Sequence, residues 1–168
     1  WYQRRVRGEM TLVYVMHPDM QKSVRCKEVL EHLKTLKNVQ FRQVDEKYVY
    51  SAENIKAEQE MMLKATRVVF LYPVYWWALP GHTKMFLDKV FQPNFAYVYG
   101  VPHHAKLAGK KFRAVMTTGG PSAYYKDTAV LTANMTQIYG DYMGMAVEEP
   151  FVYCSDQKKD ALKALHFE

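Results

Sequence analysis

The chain is poor in cysteine: Cys26 and Cys154 are the only two in 168 residues. That excludes a disulfide framework and fits a reducing compartment. No apolar run approaches the roughly 18 residues of a membrane-spanning helix, and the sequence shows no secretory leader, so the cytoplasm is the expected location. Glycine is sparse as well, at eight residues. None of the eight builds a G-x-G-x-x-G turn after the first apolar run or a Walker A loop, which excludes a dedicated dinucleotide domain and a P-loop nucleotide hydrolase. His103 and His104 lack Cys, His or carboxylate partners at metal-ligand spacing, so no metal site is expected. Basic residues never gather into a block. The net charge of +6 therefore suits an anionic small ligand, and no nucleic-acid motif accompanies it.

Residues 1–9 (WYQRRVRGE) carry three Arg and one Glu and show neither helical nor strand periodicity. Met10 stands just before the first apolar run, so residues 1–9 read as an extension and 10–168 as one domain. A chain of this size hides roughly 70% of its unfolded surface on folding. The continuous apolar run at residues 11–16 predicts a buried strand, residues 67–71 read as the next buried strand, and residues 112–116 as another strand. Residues 39–45 alternate apolar and polar, as a strand nearer an edge does, and residues 145–153 predict a fifth strand. Between them, residues 23–36, 55–65, 80–91 and 128–139 predict helices, and residues 157–165 a closing one. Cys26, Val29, Leu30, Leu33 and Leu36 follow the 3.6-residue period in the first helix. Pro80 suits the first turn of the third, where its missing N–H costs nothing.

Strand and helix thus alternate five times, which implies an α/β fold: a doubly wound parallel sheet with helices on both faces. The five-strand order 2-1-3-4-5 has its switch point between strands 1 and 3, and ligands bind outside the carboxyl ends of strands at such a point. The loops at residues 17–22 and 73–79 flank that crevice. The second holds three aromatics in a row, Tyr75, Trp76 and Trp77, and a third strand-end loop runs Thr117-Thr118-Gly119-Gly120-Pro121. An aromatic loop facing a glycine-rich one suits a planar polar cofactor. Ser23 either caps the first helix or bonds a phosphate at its N-terminus, and His17 either closes the turn or joins it. Lys22, Arg25 and Lys27 crowd a helix start that disfavours cations, unless a phosphate binds there. Residues 92–110 form a long irregular loop of the kind that carries function.

Several of these segments together resemble the flavodoxin-like NAD(P)H:quinone oxidoreductase family. They are residues 73–91 (PVYWWALPGHTKMFLDKVF), 57–60 (AEQE), 95–97 (FAY) and 117–120 (TTGG), with His17-Pro18 and Ser23. The likeness runs from about residue 11 to 153. It is strongest to short bacterial members, which include the ancillary flavoproteins of glutathione-gated potassium efflux systems. The resemblance implies a flavodoxin-like fold, a homodimer with active sites at the subunit interface, and a non-covalent flavin, FMN in short members and FAD in longer ones. It implies that His17, Ser23 and the helix start hold the phosphate. Gln59 and the backbone of Pro73, Val74, Tyr75, Trp76 and Trp77 would line the isoalloxazine. Thr117, Thr118, Gly119 and Gly120 would meet its pyrimidine side, where N–H groups stabilise negative charge.

Tyr125 matches a catalytic tyrosine near the flavin, and Tyr97 and Tyr99 match substrate-pocket aromatics offered across the dimer interface. The residues alone also allow Trp76, Trp77, Tyr97 and Tyr99 to serve interface packing, and Gly119 and Gly120 to serve a tight turn. Some members carry a His six residues after the catalytic tyrosine, where this chain has Leu131. Others have Asn where Cys26 stands and a small residue in place of Pro121. The implied activity is NAD(P)H:quinone oxidoreduction by ping-pong: a hydride passes to the flavin, and a quinone or similar small acceptor then takes two electrons in the same space. The alternative is a regulatory ancillary subunit of a potassium efflux transporter, a membrane partner, with reductase activity secondary. A one-electron carrier fits less well, because such carriers are acidic and this chain is basic.

Overall fold

All residues of β1 (Thr11–Val15) and β3 (Arg67–Pro73) are buried. Strands covered on both faces are the mark of the centre of a parallel sheet. The computed structural model describes residues 9–101, 103–132 and 134–167, so most of the expected extension, residues 1–8, lies outside the described residues. The remaining elements are α1 (Arg25–Leu33), β2 (Val39–Gln43), α2 (Ala52–Lys64), α3 (Gly81–Val90), β4 (Lys111–Thr117), α4 (Ala129–Thr132), a π-helix (Thr136–Tyr142), β5 (Ala146–Val147) and β6 (Phe151–Tyr153). The strand order is β2-β1-β3-β4-β5, all parallel, and β6 also pairs with β4. This is the expected 2-1-3-4-5 sheet, with its switch point between β1 and β3.

Side chains alternate faces along each strand, and two cores result. Leu12, Tyr14, Phe70, Tyr72, Phe112 and Met116 face α2, α3 and the π-helix. Val13, Val15, Val69, Leu71 and Val115 face α1 and the 3-10 turn Lys159–Ala164. In the larger core Phe70 packs edge-on against Tyr14, Phe86, Phe91, Phe112 and Tyr139. Glu58 is wholly buried there and accepts from Tyr14 Oη at 3.0 Å, Tyr48 Oη at 2.8 Å and Arg42 Nε at 3.1 Å.

The C-terminal third departs from its predicted elements. The single strand over residues 145–153 is two short ones: β5 pairs with β4 at an offset of 35 residues (Lys111↔Ala146) and β6 at 36 (Val115↔Phe151). The extra residue makes a bulge between Val147 and Phe151, a stretch that holds Pro150, which has no N–H to give the ladder, and Arg67 makes two 2.8 Å bonds to Glu148 within it. The helix predicted over residues 128–139 is one turn, α4, followed by the π-helix. In the second of these Tyr139 lies flat on Phe112, 3.7 Å between centroids. The closing helix is a 3-10 turn whose Leu162 and Leu165, three apart, both reach the core, which is the 3-10 period.

Candidate functional site

Helices that return between parallel strands start near the carboxyl edge of the sheet, so the loops after β1, β3 and β4 gather there with the first turns of α1 and α3. In the first loop His17 Nδ1 accepts from the Asp19 N–H at 3.1 Å, which leaves Nε2 as the protonated, donating nitrogen. Ser23 is buried, and its Oγ accepts from the Cys26 N–H at 3.1 Å. It therefore acts as a cap in this structure. Cys26 Sγ lies 3.0 Å from Thr117 Oγ1, tying the start of α1 to the end of β4. Burial raises the thiol pKa, against hydrogen bonds from Thr117 and Ser23 that lower it, so Cys26 is a packed thiol rather than a nucleophile.

The three cations at this helix start are engaged. Lys22 pairs with Asp19 at 3.2 Å, Lys27 donates to the Gln21 carbonyl at 2.6 Å, and Arg25 turns away to Tyr153 Oη, the Ser155 and Gln157 carbonyls and Glu28.

The second loop is a two-residue turn. Tyr75 and Ala78 exchange backbone bonds of 3.1 and 3.0 Å, with Trp76 at φ 52° and Trp77 at φ 58° between them. Two consecutive left-handed residues make a type I′ turn, a conformation that favours Asn and Gly. The turn's own two bonds leave the Trp76 and Trp77 N–H groups outside it. Trp76 is 92% exposed, and Trp77 lies 6.0 Å from the Tyr125 ring. The Val74 N–H donates to the Thr117 carbonyl at 2.8 Å, which holds the second loop against the third.

In the third loop Thr118 Oγ1 donates to the Gly120 carbonyl at 2.8 Å. A Cβ on Gly120 would stand 3.2 Å from Tyr125 Cε2 and Oη, so this glycine lets the tyrosine close over the loop. Gly119 faces open space. Pro73, Val74, Tyr75, Trp77, Thr117, Gly120 and Tyr125 thus come together around one edge, with His17 and Ser23 on its β1 side.

His82 belongs to this edge and was not among the residues predicted for it. It is the second residue of α3, and its ring is hydrogen-bonded to the Met16 backbone. Its Nε2 is buried without a partner among the described residues. Burial holds both His82 and His17 below the ordinary imidazole value, and each is close enough to matter electrostatically to the site's β1 side. Its one sequence signal was a polar His at the second position of a helix that follows a strand-end loop.

Three predicted residues stand elsewhere. Gln59 stands away from this edge within one protomer: its amide donates to the Val90 carbonyl at 2.8 Å and to Gln92 at 3.3 Å. Val90 ends α3, about 14 Å along the helix axis from the strand-end loops, because a mid-helix residue of α2 is carried back along the sheet. Tyr97 and Tyr99 bond each other, Oη to Oη at 3.3 Å, and Tyr97 lies against Tyr142 rather than Tyr125. Within one protomer they do not join the edge. Among the described residues no cluster of His, Cys, Asp and Glu could hold a metal ion, and no helix is long and apolar enough to cross a membrane.

The family described by a flavodoxin-like fold matches residues 10–166. Three solved structures share the architecture. An NADPH-quinone reductase from P. pentosaceus is 21% identical over 92% of this chain and 94% of its own, with a TM-score of 0.74. General stress protein 14 of Treponema denticola, in complex with FMN, is 20% identical over 92% of each chain, with a TM-score of 0.73. A protein of Streptomycin violaceusniger described as a thermophilic tryptophan halogenase is 24% identical over 91% and 92%, with a TM-score of 0.76. At these identities, and with names this varied, the likeness is one of fold.

Proposed function

This chain belongs to the flavodoxin-like fold family, and from that premise we propose that it is a flavin-dependent NAD(P)H:quinone oxidoreductase with FMN at the carboxyl edge of its sheet. One observation carries the proposal: Trp77, Tyr125 and Gly120 converge from the loops after β3 and β4 at the carboxyl edge of the sheet. The residues fit a flavin. The unpartnered His82 Nε2 and the donating His17 Nε2 offer polar contacts to a ribityl phosphate chain beside the start of α1. The turn N–H groups of Trp76 and Trp77 and the open face at Gly119 leave room for a flat ring. When bound, the flavin accepts two electrons from NAD(P)H and returns them to the acceptor.

The protein's part is placement. The Val74–Thr117 bond fixes the spacing of the two loops that would flank the ring. Tyr125, held over Gly120, puts a phenol where a proton or a carbonyl oxygen of the acceptor can be bonded. A hydride equivalent and one proton convert a quinone to its hydroquinone, so one bonded hydroxyl beside the ring matches the demand. The exposed Tyr99, and the Tyr97–Tyr99–Tyr142 cluster around it, support a homodimer in which these aromatics reach the partner's edge. The test is an anaerobic spectrum of protein reconstituted with FMN. Bleaching by NADPH and recovery on adding menadione are expected. A flavin that binds but is not bleached would refute the reductase assignment.

A further inference from the structure

A hollow of about 370 Å³ lies between α3 and the α4–π-helix segment, against the sheet face that carries Phe70 and Tyr72. Its origin is local. A continuous helix over residues 128–139 would lay a full apolar stripe on β3 and β4, but α4 stops after one turn and the π-helix rests on the sheet through Tyr139. The floor is Phe70, Phe112 and Met116, and the opposite wall is Leu131 and Met135. Lys84 and Asn134 also line it. Lys84 is largely exposed and pairs with Asp88 at 2.5 Å, so the charge sits at the mouth and not at the floor. Trp77 is one wall, and the same ring lies beside Tyr125. The hollow therefore opens onto the edge at which the acceptor would be reduced.

We propose that this hollow is a tail site, which takes the isoprenoid chain of a prenylated quinone while the quinone ring meets Trp77 and Tyr125. The inference rests on the reductase assignment and deepens it by naming the acceptor class. An apolar cavity of about 150 Å³ holds a six-carbon ring, so 370 Å³ holds roughly fifteen carbons, or three isoprene units. Water at the floor would find few polar partners, and a charged substituent would lie unpaired among Phe70, Phe112 and Met116. A branched, flexible hydrocarbon suits the irregular wall, where Met116 and Met135 adapt to its shape.

Two measurements on the full chain test this. In the first, farnesol, a tail without a quinone ring, is titrated into flavin-free protein labelled with ¹³C at the methionine methyls. The Met116 and Met135 signals should shift and saturate. Val130→Trp, a change at an exposed residue of the mouth, should abolish the shift without unfolding the protein, and Leu131→Phe should weaken it from inside. In the second, the KM of reconstituted enzyme is measured for quinones with zero to three isoprene units. It should fall severalfold per unit in the wild type and stay flat in Val130→Trp, whose kcat/KM for the tail-less quinone remains within twofold. A KM independent of tail length, or no methyl shift, overturns the tail site while leaving reduction of menadione intact. Methyl shifts without turnover of any quinone sink the reductase assignment alone and leave an isoprenoid site. Shifts seen in monomer but lost in a dimer would overturn the proposal, because a second copy would then cover the hollow.

Discussion

Replacing Trp76 with Asn should stabilise this protein, although it deletes the largest side chain of the site. Trp76 sits at φ 52°, where an ordinary L-residue is disfavoured by roughly 1–2 kcal/mol and Asn by less. The ring contributes little in return. At 92% exposed it buries about 20 of roughly 250 Å², worth about 0.5 kcal/mol. The net expectation is a gain of about 0.5–1 kcal/mol, or a Tm higher by roughly 1–4 °C for a chain of this length. Trp77 provides the contrast, with the same turn conformation at φ 58° but only 48% exposed and packed on Tyr125. Losing about 130 Å² of buried ring costs about 3 kcal/mol, so Trp77→Asn should be net destabilising by about 1–2 kcal/mol.

Urea melts of the two variants and the parent decide between these signs. FMN titrations run alongside should show Trp76→Asn within twofold of the parent, since the proposed contact there is the backbone N–H. A Trp76→Asn variant that is less stable than the parent would refute the strain argument. One that keeps its stability but loses flavin affinity would place the ring, not the backbone, in the contact.

Three further outcomes are expected. Glu58→Ala removes a wholly buried acceptor of Tyr14, Tyr48 and Arg42 and should cost about 3–5 kcal/mol in denaturant melts, whereas Glu58→Gln keeps an acceptor and should cost less. Stability should fall as pH drops below 6.5, the ordinary imidazole value, because burial lowers the pKa of His17 and His82 in the fold. The unfolded chain then binds more protons than the folded one, so unfolding free energy rises with pH through that window and levels above it. Thermal melts from pH 5 to 8 check the sign, and a His17→Asn/His82→Asn double variant should flatten the profile. Tyr125→Phe should slow reoxidation of the reduced flavin by menadione in stopped flow without loosening FMN, and an unchanged rate would remove the hydroxyl from the mechanism.

The first four strands and the order of the sheet were legible because each rests on a short-range signal. Residues 12–16 and 68–72 are uninterrupted apolar runs, and residues 112–116 are apolar but for Arg113; such runs fit a strand covered on both faces. The aromatic and glycine loops could be placed at the carboxyl edge because they follow those strands directly. Val74, Trp77, Thr117, Gly120 and Tyr125 do meet there.

What sequence order alone settled about this protein is therefore the alternation, the order of the sheet and the loops at its carboxyl edge. Tertiary packing decided the rest. The fifth strand splits because β5 and β6 pair with β4 in registers that differ by one residue, with Pro150 between them. Gln59 stands away from the carboxyl edge within one protomer because α2 packs with that residue beside the end of α3. His82 becomes a candidate contact only when burial strips its Nε2 of partners. The hollow exists because Tyr139 stacks on Phe112 and holds the π-helix clear of the sheet. Local periodicity reports which face of an element is apolar, but each of these features depends on which distant residue arrives opposite it, and that is fixed only when the whole core closes.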